Sequence, residues 1–344
     1  VKILFSGGKC APTELDEREL KLVKELATHT INHPSMSDQI LGECPDWAFE
    51  SLKQRFGKDF MHEMQALLQP APLDIRVNSI KATRDDVLRE LEKLELKATA
   101  GRLSPLCIRI EDRPSLANLF MLKDGVIEIQ DEGSQIVAML VDAKPGDRVV
   151  DFCAGAGGKT LAMAAAMQNK GRVIACDIMD RRLKQSTERF RRAGLHNIEI
   201  KPLTSERDPW VKKHKAGFNR VLVDAPCSGT GAWRRNVDSR WRGLGPGLET
   251  LVPLQTEILD SAARLVKPSG RLIYATCSLL PEENEQQVER FLATHPDFHV
   301  VPYGEILKDM PSAHKTYLSL TPARHQTDGF FAAVLQKADV VTPA

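Results

Sequence analysis

The chain reads Val149-Val150-Asp151-Phe152-Cys153-Ala154-Gly155-Ala156-Gly157-Gly158-Lys159-Thr160 near its middle. Its apolar start is typical of a buried strand, and its glycines are typical of a tight turn into a helix. Because glycine has no side chain, the backbone of this turn can approach a ligand closely. The stretch therefore predicts a strand, a ligand-binding loop and a helix in succession, an arrangement that many α/β folds use to bind a nucleotide or a related cofactor.

Strands and helices alternate around this loop, which predicts a doubly wound, mostly parallel, Rossmann-like sheet in an α/β fold. The predicted strands are 148–153, 172–178, 198–203, 220–225, 271–277, 298–303 and 329–335. The predicted helices are 158–168, 180–193, 250–266 and 282–294. The last strand is apolar on both faces, which indicates a position inside the sheet rather than at its edge.

Two smaller regions precede this sheet. Residues 1–70 carry apolar positions at helical spacing and predict a helical N-terminal region. Residues 71–130 predict a small α+β module, with strands around 73–78, 106–110 and 125–129 and a helix that begins after Thr83. Residues 131–344 then form the predicted cofactor-binding domain.

Composition limits the functional classes. The chain has 344 residues, 42% of them hydrophobic and 27% charged, which is typical of a globular protein of two or three domains. No apolar run reaches the roughly 20 residues of a membrane helix. Seven scattered cysteines, with no CxxC pair, indicate reduced thiols and no structural metal site. We therefore expect a monomeric cytoplasmic protein that neither binds a membrane nor contains a metal site. The initial Val1 suggests a processed or truncated start.

The glycine loop leaves more than one cofactor open. A phosphate-binding P-loop is rejected, because its first glycine would fall at Cys153. Asp177 ends the second predicted strand, 22 residues after Gly155, where a carboxylate suits the hydroxyls of a ribose. A glycine loop followed by such an acid fits a methyltransferase and a dinucleotide oxidoreductase almost equally well.

Two cysteine motifs follow two later strands. One reads Asp224-Ala225-Pro226-Cys227-Ser228-Gly229-Thr230-Gly231, and the other reads Ala275-Thr276-Cys277-Ser278-Leu279-Leu280-Pro281-Glu282-Glu283-Asn284. Because the carboxyl ends of parallel strands meet at one crevice, both thiols are expected to face it. An isolated cysteine is more often a small buried apolar residue, and we keep that interpretation for Cys10, Cys44, Cys107 and Cys176.

Together, the glycine loop and the two cysteine motifs resemble the RNA 5-methylcytosine methyltransferases of the NOL1/NOP2/Sun (RsmB-like) family. The resemblance runs from about Pro45 to Lys337 and is strongest from Gln130 to Asn284. It implies S-adenosyl-L-methionine as cofactor and RNA as substrate. The compact, bacterial-looking chain favours small-subunit ribosomal RNA, with transfer RNA second. The resemblance also implies that Arg76-Val77-Asn78 opens an RNA-recognition-like module.

The resemblance also implies a set of cofactor-binding residues: Cys153, Ala154, Gly155, Ala156, Gly157, Gly158, Lys159, Asp177, Arg182 and Asp224. One position departs from the family. Thr204 stands where an aspartate commonly lies near the adenine, and Glu206 or Asp208 could take its place.

For catalysis, the resemblance implies that Cys277 is the nucleophile that attacks carbon 6 of cytosine and that Cys227 assists release. Asp224 and Lys159 complete the expected catalytic set. Exchanged roles for the two thiols remain an alternative, because related DNA enzymes use the cysteine of the Pro-Cys motif as nucleophile. A thiol nucleophile must be activated, and a base must remove the proton on carbon 5.

Basic residues predict where RNA would bind. Arg234 and Arg235 closely follow the first cysteine motif, and we predict that they contact phosphates. Residues 181–192 are also rich in arginine but are interpreted as the solvated face of a helix. Two other functions stay open. An RNA-binding protein with weakened methylation would account for Thr204, and an oxidoreductase would account for the loop and Asp177 but for neither cysteine motif.

Overall fold

The computed structural model describes residues 5–7, 11–27, 33–241, 245–308, 310 and 316–339. Its N-terminal region is helical, as predicted, with α1 (Glu17–Leu26), α2 (Asp38–Leu41), α3 (Asp46–Phe56) and α4 (Phe60–Leu68). Apolar residues of α3 and α4 share a core with Trp233, Leu279 and Leu280 from the distant cysteine motifs. The N-terminal helices therefore pack directly on the loops that carry the candidate nucleophiles.

A four-stranded antiparallel sheet follows. Its elements are β1 (Leu73–Val77), α5 (Arg84–Lys93), β2 (Ala98–Ala100), β3 (Cys107–Ile110), α6 (Phe120–Lys123) and β4 (Ile127–Ile129). The strand order is β2-β3-β1-β4, and the βαββαβ succession is ferredoxin-like. Thr83 caps α5 as predicted, because its side chain accepts a hydrogen bond from the backbone N–H of Asp86.

The remaining elements form the large domain. They are α7 (Glu132–Leu140), β5 (Arg148–Asp151), α8 (Gly158–Ala166), β6 (Arg172–Asp177), α9 (Asp180–Arg192), β7 (Ile198–Pro202), α10 (Pro209–Lys213), β8 (Phe218–Asp224), α11 (Val237–Trp241), α12 (Leu248–Ala263), β9 (Val266–Thr276), α13 (Glu285–Thr294), β10 (Phe298–Val301), β11 (Leu318–Leu320), α14 (Pro322–His325) and β12 (Phe330–Lys337).

The large sheet has the order β10-β12-β9-β8-β5-β6-β7, with β11 paired to β12. The strands from β9 to β7 are parallel, whereas β10, β11 and β12 run antiparallel to their neighbours. The doubly wound, Rossmann-like prediction is therefore confirmed, and β12 lies inside the sheet, as its apolar faces indicated. The chain order reverses beside β5, and ligands bind at such a reversal, outside the carboxyl ends of the strands.

The small sheet is fastened to the glycine loop and to α9. Buried Arg76 of β1 donates to Gln130 and, at 2.8 Å, to the carbonyl of Gly158. Glu128 of β4 accepts from Arg189 at 2.8 Å and from Arg192 at 2.9 Å. The interpretation of residues 181–192 as a purely solvated face is thus wrong for two arginines, because their partner lies more than sixty residues earlier.

Within the part of the chain that the structure describes, there is no helix with both the length and the apolar character needed to cross a bilayer.

Candidate active site

A cavity of about 650 Å³ opens at the carboxyl ends of the central parallel strands. Its volume lies within the range of small-molecule sites. The glycine loop forms one wall, and residues after β6, β7 and β8 form the others. The sequence-predicted residues that line it are Cys153, Ala154, Gly155, Ala156, Gly158, Lys159, Asp177, Arg182 and Asp224.

The glycine loop takes a shape that favours glycine at two positions. Gly155 and Gly157 have φ values of +54° and +78°, in the left-handed region. A Cβ atom at Gly157 would also lie 2.6 Å from the ring of Phe190. Gly157 therefore supports the loop from behind rather than lining the cavity, and α9 packs against it.

Backbone N–H groups hold the carboxylate of Asp177 beside the glycine loop. Its carboxylate accepts from the N–H of Gly155 at 2.7 Å and from the N–H of Met179 at 2.8 Å. Ile178 and Met179 follow it with 68% and 52% of their surfaces exposed, and both line the cavity. Sequence reasoning missed this apolar pair, although large apolar residues directly after the acidic residue are a visible signal.

The surroundings of Thr204 differ for Glu206 and Asp208, the two proposed substitutes for the aspartate that Thr204 replaces. Asp208 accepts from the backbone N–H and the hydroxyl of Thr204, both at 2.9 Å, and its other oxygen caps α10 at Trp210. Hydrogen bonds from these backbone N–H groups lower the pKa of Asp208. Asp208 is thus occupied as a capping residue, whereas Glu206 lines the cavity together with Thr204.

Lys159 and Asp224 form an ion pair at the inner end of the cavity. The lysine Nζ lies 2.6 Å from Oδ2 of Asp224. Burial opposes the positive charge on Lys159, but the attraction of Asp224 outweighs it, and the pKa of Lys159 is raised. Asp224 is the last residue of β8 and Lys159 lies in the first turn of α8, so the two sides of the strand-order reversal meet at this pair.

Asp151 is a buried carboxyl beside this pair that sequence reasoning assigned no role. Its Oδ2 accepts from the hydroxyl of Thr160 at 2.7 Å, while Oδ1 has no protein partner among the described residues. Burial raises the pKa of Asp151 to about 7. An unpartnered oxygen at the wall of the cavity leaves a polar contact open to a bound ligand.

The two cysteine motifs converge as predicted. Sγ of Cys227 lies 3.4 Å from Sγ of Cys277, and both residues are half-buried. The hydrogen bond with Cys277, followed by burial, raises the pKa of Cys227 well above its usual value. The two thiols are therefore close enough for either one to donate a hydrogen bond to the other.

The loops around the thiols are joined side to side. Ser228 and Ser278, each directly after its cysteine, place their hydroxyl oxygens 3.2 Å apart. The N–H of Gly231 donates to the carbonyl of Cys277 at 2.9 Å, and the N–H of Leu279 donates to the hydroxyl of Thr230 at 2.7 Å. These bonds join the two short loops that carry the cysteines and so hold the sulfurs close to each other.

Comparison with known proteins identifies the family. Residues 138–336 match the family model described as 16S rRNA methyltransferase RsmB/F, and residues 44–117 match the RsmF/B-like ferredoxin-like domain. The probable ribosomal RNA small subunit methyltransferase B of Synechocystis sp. is 36% identical over 86% of this chain and 67% of its own length. The ribosomal RNA small subunit methyltransferase B of Shewanella oneidensis is 32% identical over 88% of this chain and 69% of its own length.

The chain belongs to the RsmB/F family of 16S rRNA methyltransferases. It spans about two thirds of the length of these two curated relatives. The fold agrees, because a solved methyltransferase homologue from Pyrococcus horikoshii, 26% identical, superposes with a TM-score of 0.75 over 89% of this chain and 100% of that one.

Methyltransferases of the RsmB/F family use S-adenosyl-L-methionine, and the cavity fits such a molecule. Asp177 offers a carboxylate to ribose hydroxyls, and the apolar surfaces of Ile178 and Met179 suit a flat base. At the other end, the orphaned oxygen of Asp151 and the carboxylate of Asp224 suit a positively charged amine. The arrangement therefore offers separate chemical partners to the ribose, the base and the amine of the molecule.

The two arginines predicted to bind RNA, Arg234 and Arg235, form ion pairs with carboxylates of the chain. The side chain of Arg234 is only 5% exposed, and its Nε donates to Asp328 at 2.7 Å. Arg235 is 32% exposed and pairs with Asp328 and, at 2.8 Å, with Asp131. The prediction that Arg234 contacts phosphate is wrong for this structure, because its guanidinium is enclosed by carboxylates.

Replacement of Arg234 by alanine should therefore destabilise the fold rather than weaken RNA binding directly. Removal of one partner of a buried ion pair leaves an uncompensated charge, and we expect a loss of about 3 kcal/mol in the free energy of unfolding. Urea denaturation measures this loss. Arg191→Ala, at a side chain that is 81% exposed, is the matched control and should change stability by less than about 0.5 kcal/mol. Equal stability of both variants would contradict the buried role.

The other cysteines lie apart from the paired thiols. Cys44, Cys107 and Cys176 are buried, as interpreted, and Cys10 lies outside the described residues. Cys107 has Asp74 and Glu132 close to it, in a cluster with ligand atoms within 4.8 Å of one another. Arg109 occupies this cluster, with its guanidinium 2.7 Å from Asp74 and 3.6 Å from Glu132. The two carboxylates are thus already compensated by a cation of the chain.

Proposed function

We propose that this protein methylates carbon 5 of a cytosine in small-subunit ribosomal RNA, with Cys277 as the covalent nucleophile and S-adenosyl-L-methionine as methyl donor. The observation that carries the proposal is the contact between the two cysteine motifs, in which the sulfurs of Cys227 and Cys277 lie 3.4 Å apart. Asp224, three residues before Cys227, forms an ion pair with Lys159, and both members of this pair line the cofactor cavity. The relatives' names supply the choice of ribosomal RNA, and transfer RNA is the second candidate.

The chemistry begins with addition of the Cys277 thiolate to carbon 6 of cytosine. The new C–S bond takes the place of the π bond between carbons 5 and 6, so electron density moves to carbon 5. When bound, S-adenosyl-L-methionine supplies an activated methyl group to that carbon. A base then removes the proton from carbon 5, the double bond re-forms, and the C–S bond breaks with the electron pair returning to sulfur.

Cys227 suits the last of these steps. Its sulfur lies 3.4 Å from the sulfur of Cys277, so its thiol can donate to the atom that becomes negative as the adduct breaks down. A hydrogen bond to a departing thiolate stabilises it, and proton transfer would complete its release. The family resemblance assigns attack to Cys277 and release to Cys227, and this contact brings the two thiols close enough for those roles.

The ion pair of Lys159 and Asp224 suits the target base. The lysine amine lies 2.6 Å from the carboxylate of Asp224, and both residues line the cavity. We infer that Asp224 accepts from the cytosine amino group and that Lys159 balances negative charge in the adduct. Their buried setting strengthens both interactions, because little water competes for them.

The target cytosine must leave the RNA stack to reach sulfurs that are half-buried. A single-stranded or flipped nucleotide is therefore the expected substrate. The alternative of a weakened enzyme draws on Thr204, but Glu206 supplies a carboxylate on the same wall of the cavity. Both thiols and the ion pair are in place, which supports an active enzyme.

The test is direct identification of the product. The protein is incubated with unmodified small-subunit ribosomal RNA and methyl-labelled S-adenosyl-L-methionine, and the RNA is digested to nucleosides for mass spectrometry. The expected result is label in 5-methylcytidine alone. Transfer RNA, the second candidate substrate, is tested in parallel under the same conditions. Label in another nucleoside, or in neither RNA, would contradict the proposal.

A further inference from the structure

Glu283 is a fully buried carboxylate that lies beside the paired thiols and has no part in the chemistry derived above. Its Oε1 accepts from the backbone N–H of Ser228 at 2.8 Å and from the amide of Gln255 at 3.0 Å. Its Oε2 accepts from the hydroxyl of Ser228 at 2.5 Å. Ser228 directly follows Cys227, so one carboxylate holds the residue next to the releasing thiol by two bonds.

Glu283 itself belongs to the other cysteine loop, six residues after Cys277. Its backbone carbonyl accepts from the hydroxyl of buried Tyr274 at 2.6 Å. The next residue, Asn284, accepts from Thr276 at 2.5 Å and donates to the carbonyl of Ser278 at 2.9 Å. The carboxylate is thus fixed to the Cys277 loop, while Ser228 of the Cys227 loop supplies two of its three hydrogen bonds and Gln255 of α12 supplies the third.

Neutral groups supply all three of these hydrogen bonds to Glu283. A buried carboxylate held by neutral donors is costly to desolvate, so a simple structural contact would be served as well by an uncharged side chain. The charge has a second effect, because it adds to the factors that raise the pKa of Cys227, after the hydrogen bond with Cys277, burial and the charge of Cys277. Glu283 therefore acts on both the position and the charge state of this thiol.

We propose that Glu283 is a positioning residue for release of the methylated base: through Ser228, it holds the Cys227 thiol as a hydrogen-bond donor against the sulfur of Cys277. This inference rests on the proposed function. Without the carboxylate, the Pro-Cys loop would keep its chain path but lose the orientation of the thiol. Attack by Cys277 would continue, and breakdown of the adduct would become slow.

Glu283→Gln tests this role with little change in volume. One amide oxygen can still accept from Ser228, while the charge and the second acceptor are lost. We expect kcat to fall roughly ten- to hundredfold, as displacements of catalytic groups commonly cause, with KM for RNA nearly unchanged. A denaturant-resistant protein–RNA species should accumulate, as in Cys227→Ala. Ser228→Ala, which keeps the charge and the backbone bond, should show a smaller effect in the same direction.

The matched control is Glu132→Gln. Glu132 is also fully buried and accepts from two backbone N–H groups, those of Leu103 at 2.7 Å and Ser104 at 2.9 Å, but it belongs to the contact with the small sheet. This variant should lose stability without accumulating the adduct. Melting temperatures of all variants separate loss of fold from loss of release, and Ser228→Ala carries the test if Glu283→Gln does not fold.

The double variant Glu283→Gln, Cys227→Ala gives the decisive comparison. If Glu283 acts through Cys227, the double variant should release RNA no more slowly than Cys227→Ala alone. Additional slowing, or normal turnover of Glu283→Gln while Cys227→Ala traps RNA, would overturn the inference and leave the proposed function standing. If no variant forms an adduct and the wild-type protein makes no 5-methylcytidine, the proposed function itself fails.

Discussion

Cys277→Ala is expected to abolish methyl transfer to RNA, with a loss of about 10⁴-fold or more, as for removal of other catalytic nucleophiles. We expect this loss because Cys277 is the proposed nucleophile and the thiol in contact with it, Cys227, is assigned to release rather than attack. The measurement is initial rate of label transfer from S-adenosyl-L-methionine, together with cofactor and RNA affinity, which should be nearly unchanged.

The control for this variant is Cys44→Ala, which removes a buried thiol in the core of the N-terminal helices. It should cost some stability and leave turnover nearly intact. Near-normal turnover by Cys277→Ala would show that Cys277 is not the nucleophile and would return the exchanged assignment of the two thiols to first place.

Cys227→Ala is expected to give the opposite phenotype, in which attack continues and release fails. The Ala side chain cannot donate to the departing sulfur, so the covalent protein–RNA species should persist through denaturing electrophoresis. Turnover should fall by roughly 10²- to 10³-fold, the usual effect of removing one donor that stabilises developing charge. The double variant with Cys277→Ala should form no such species.

Three other outcomes have distinct meanings. If Cys277→Ala traps RNA and Cys227→Ala does not, the roles of the two thiols are reversed. If neither single variant traps RNA, release does not depend on a second thiol. If both trap it, either sulfur can attack, and the 3.4 Å contact would describe two interchangeable nucleophiles.

Much of the fold was predictable because its signals are local. The loop from Val149 to Thr160 shows a strand, a glycine turn and a helix within twelve residues, and the structure has each of them in that order. The apolar faces of the last strand likewise predicted its interior position. Where a short element carried little pattern, as in the three residues of β11, sequence reasoning missed it.

The candidate site was predictable only in part, because several of its contacts join distant residues. That Cys227 and Cys277 meet followed from the topology of parallel strands, but their 3.4 Å separation depends on bonds between side chains of both loops. Arg234 resembled a phosphate ligand because its partner, Asp328, lies 94 residues away. Such a pairing leaves no periodic trace in the sequence.

The roles of several carboxylates were also not predictable from the sequence. Sequence reasoning treated Glu206 and Asp208 alike, and only the capping of α10 by Asp208 distinguishes them. Asp151 and Glu283 stood inside quoted motifs without a role. Their importance comes from burial and from which donors reach them, and both are properties of the folded chain.

The central claim is covalent attack by Cys277, and RNA that carries 5-fluorocytidine at the target position tests it most directly. Fluorine cannot leave carbon 5 as the proton does, so the adduct should stop before elimination. After digestion with trypsin, we expect a methylated nucleotide on the peptide 272–290, which contains Cys277. This methylated product should form only when S-adenosyl-L-methionine is present. A nucleotide on the peptide 221–234, which contains Cys227, or no adduct while ordinary RNA is methylated, would contradict it.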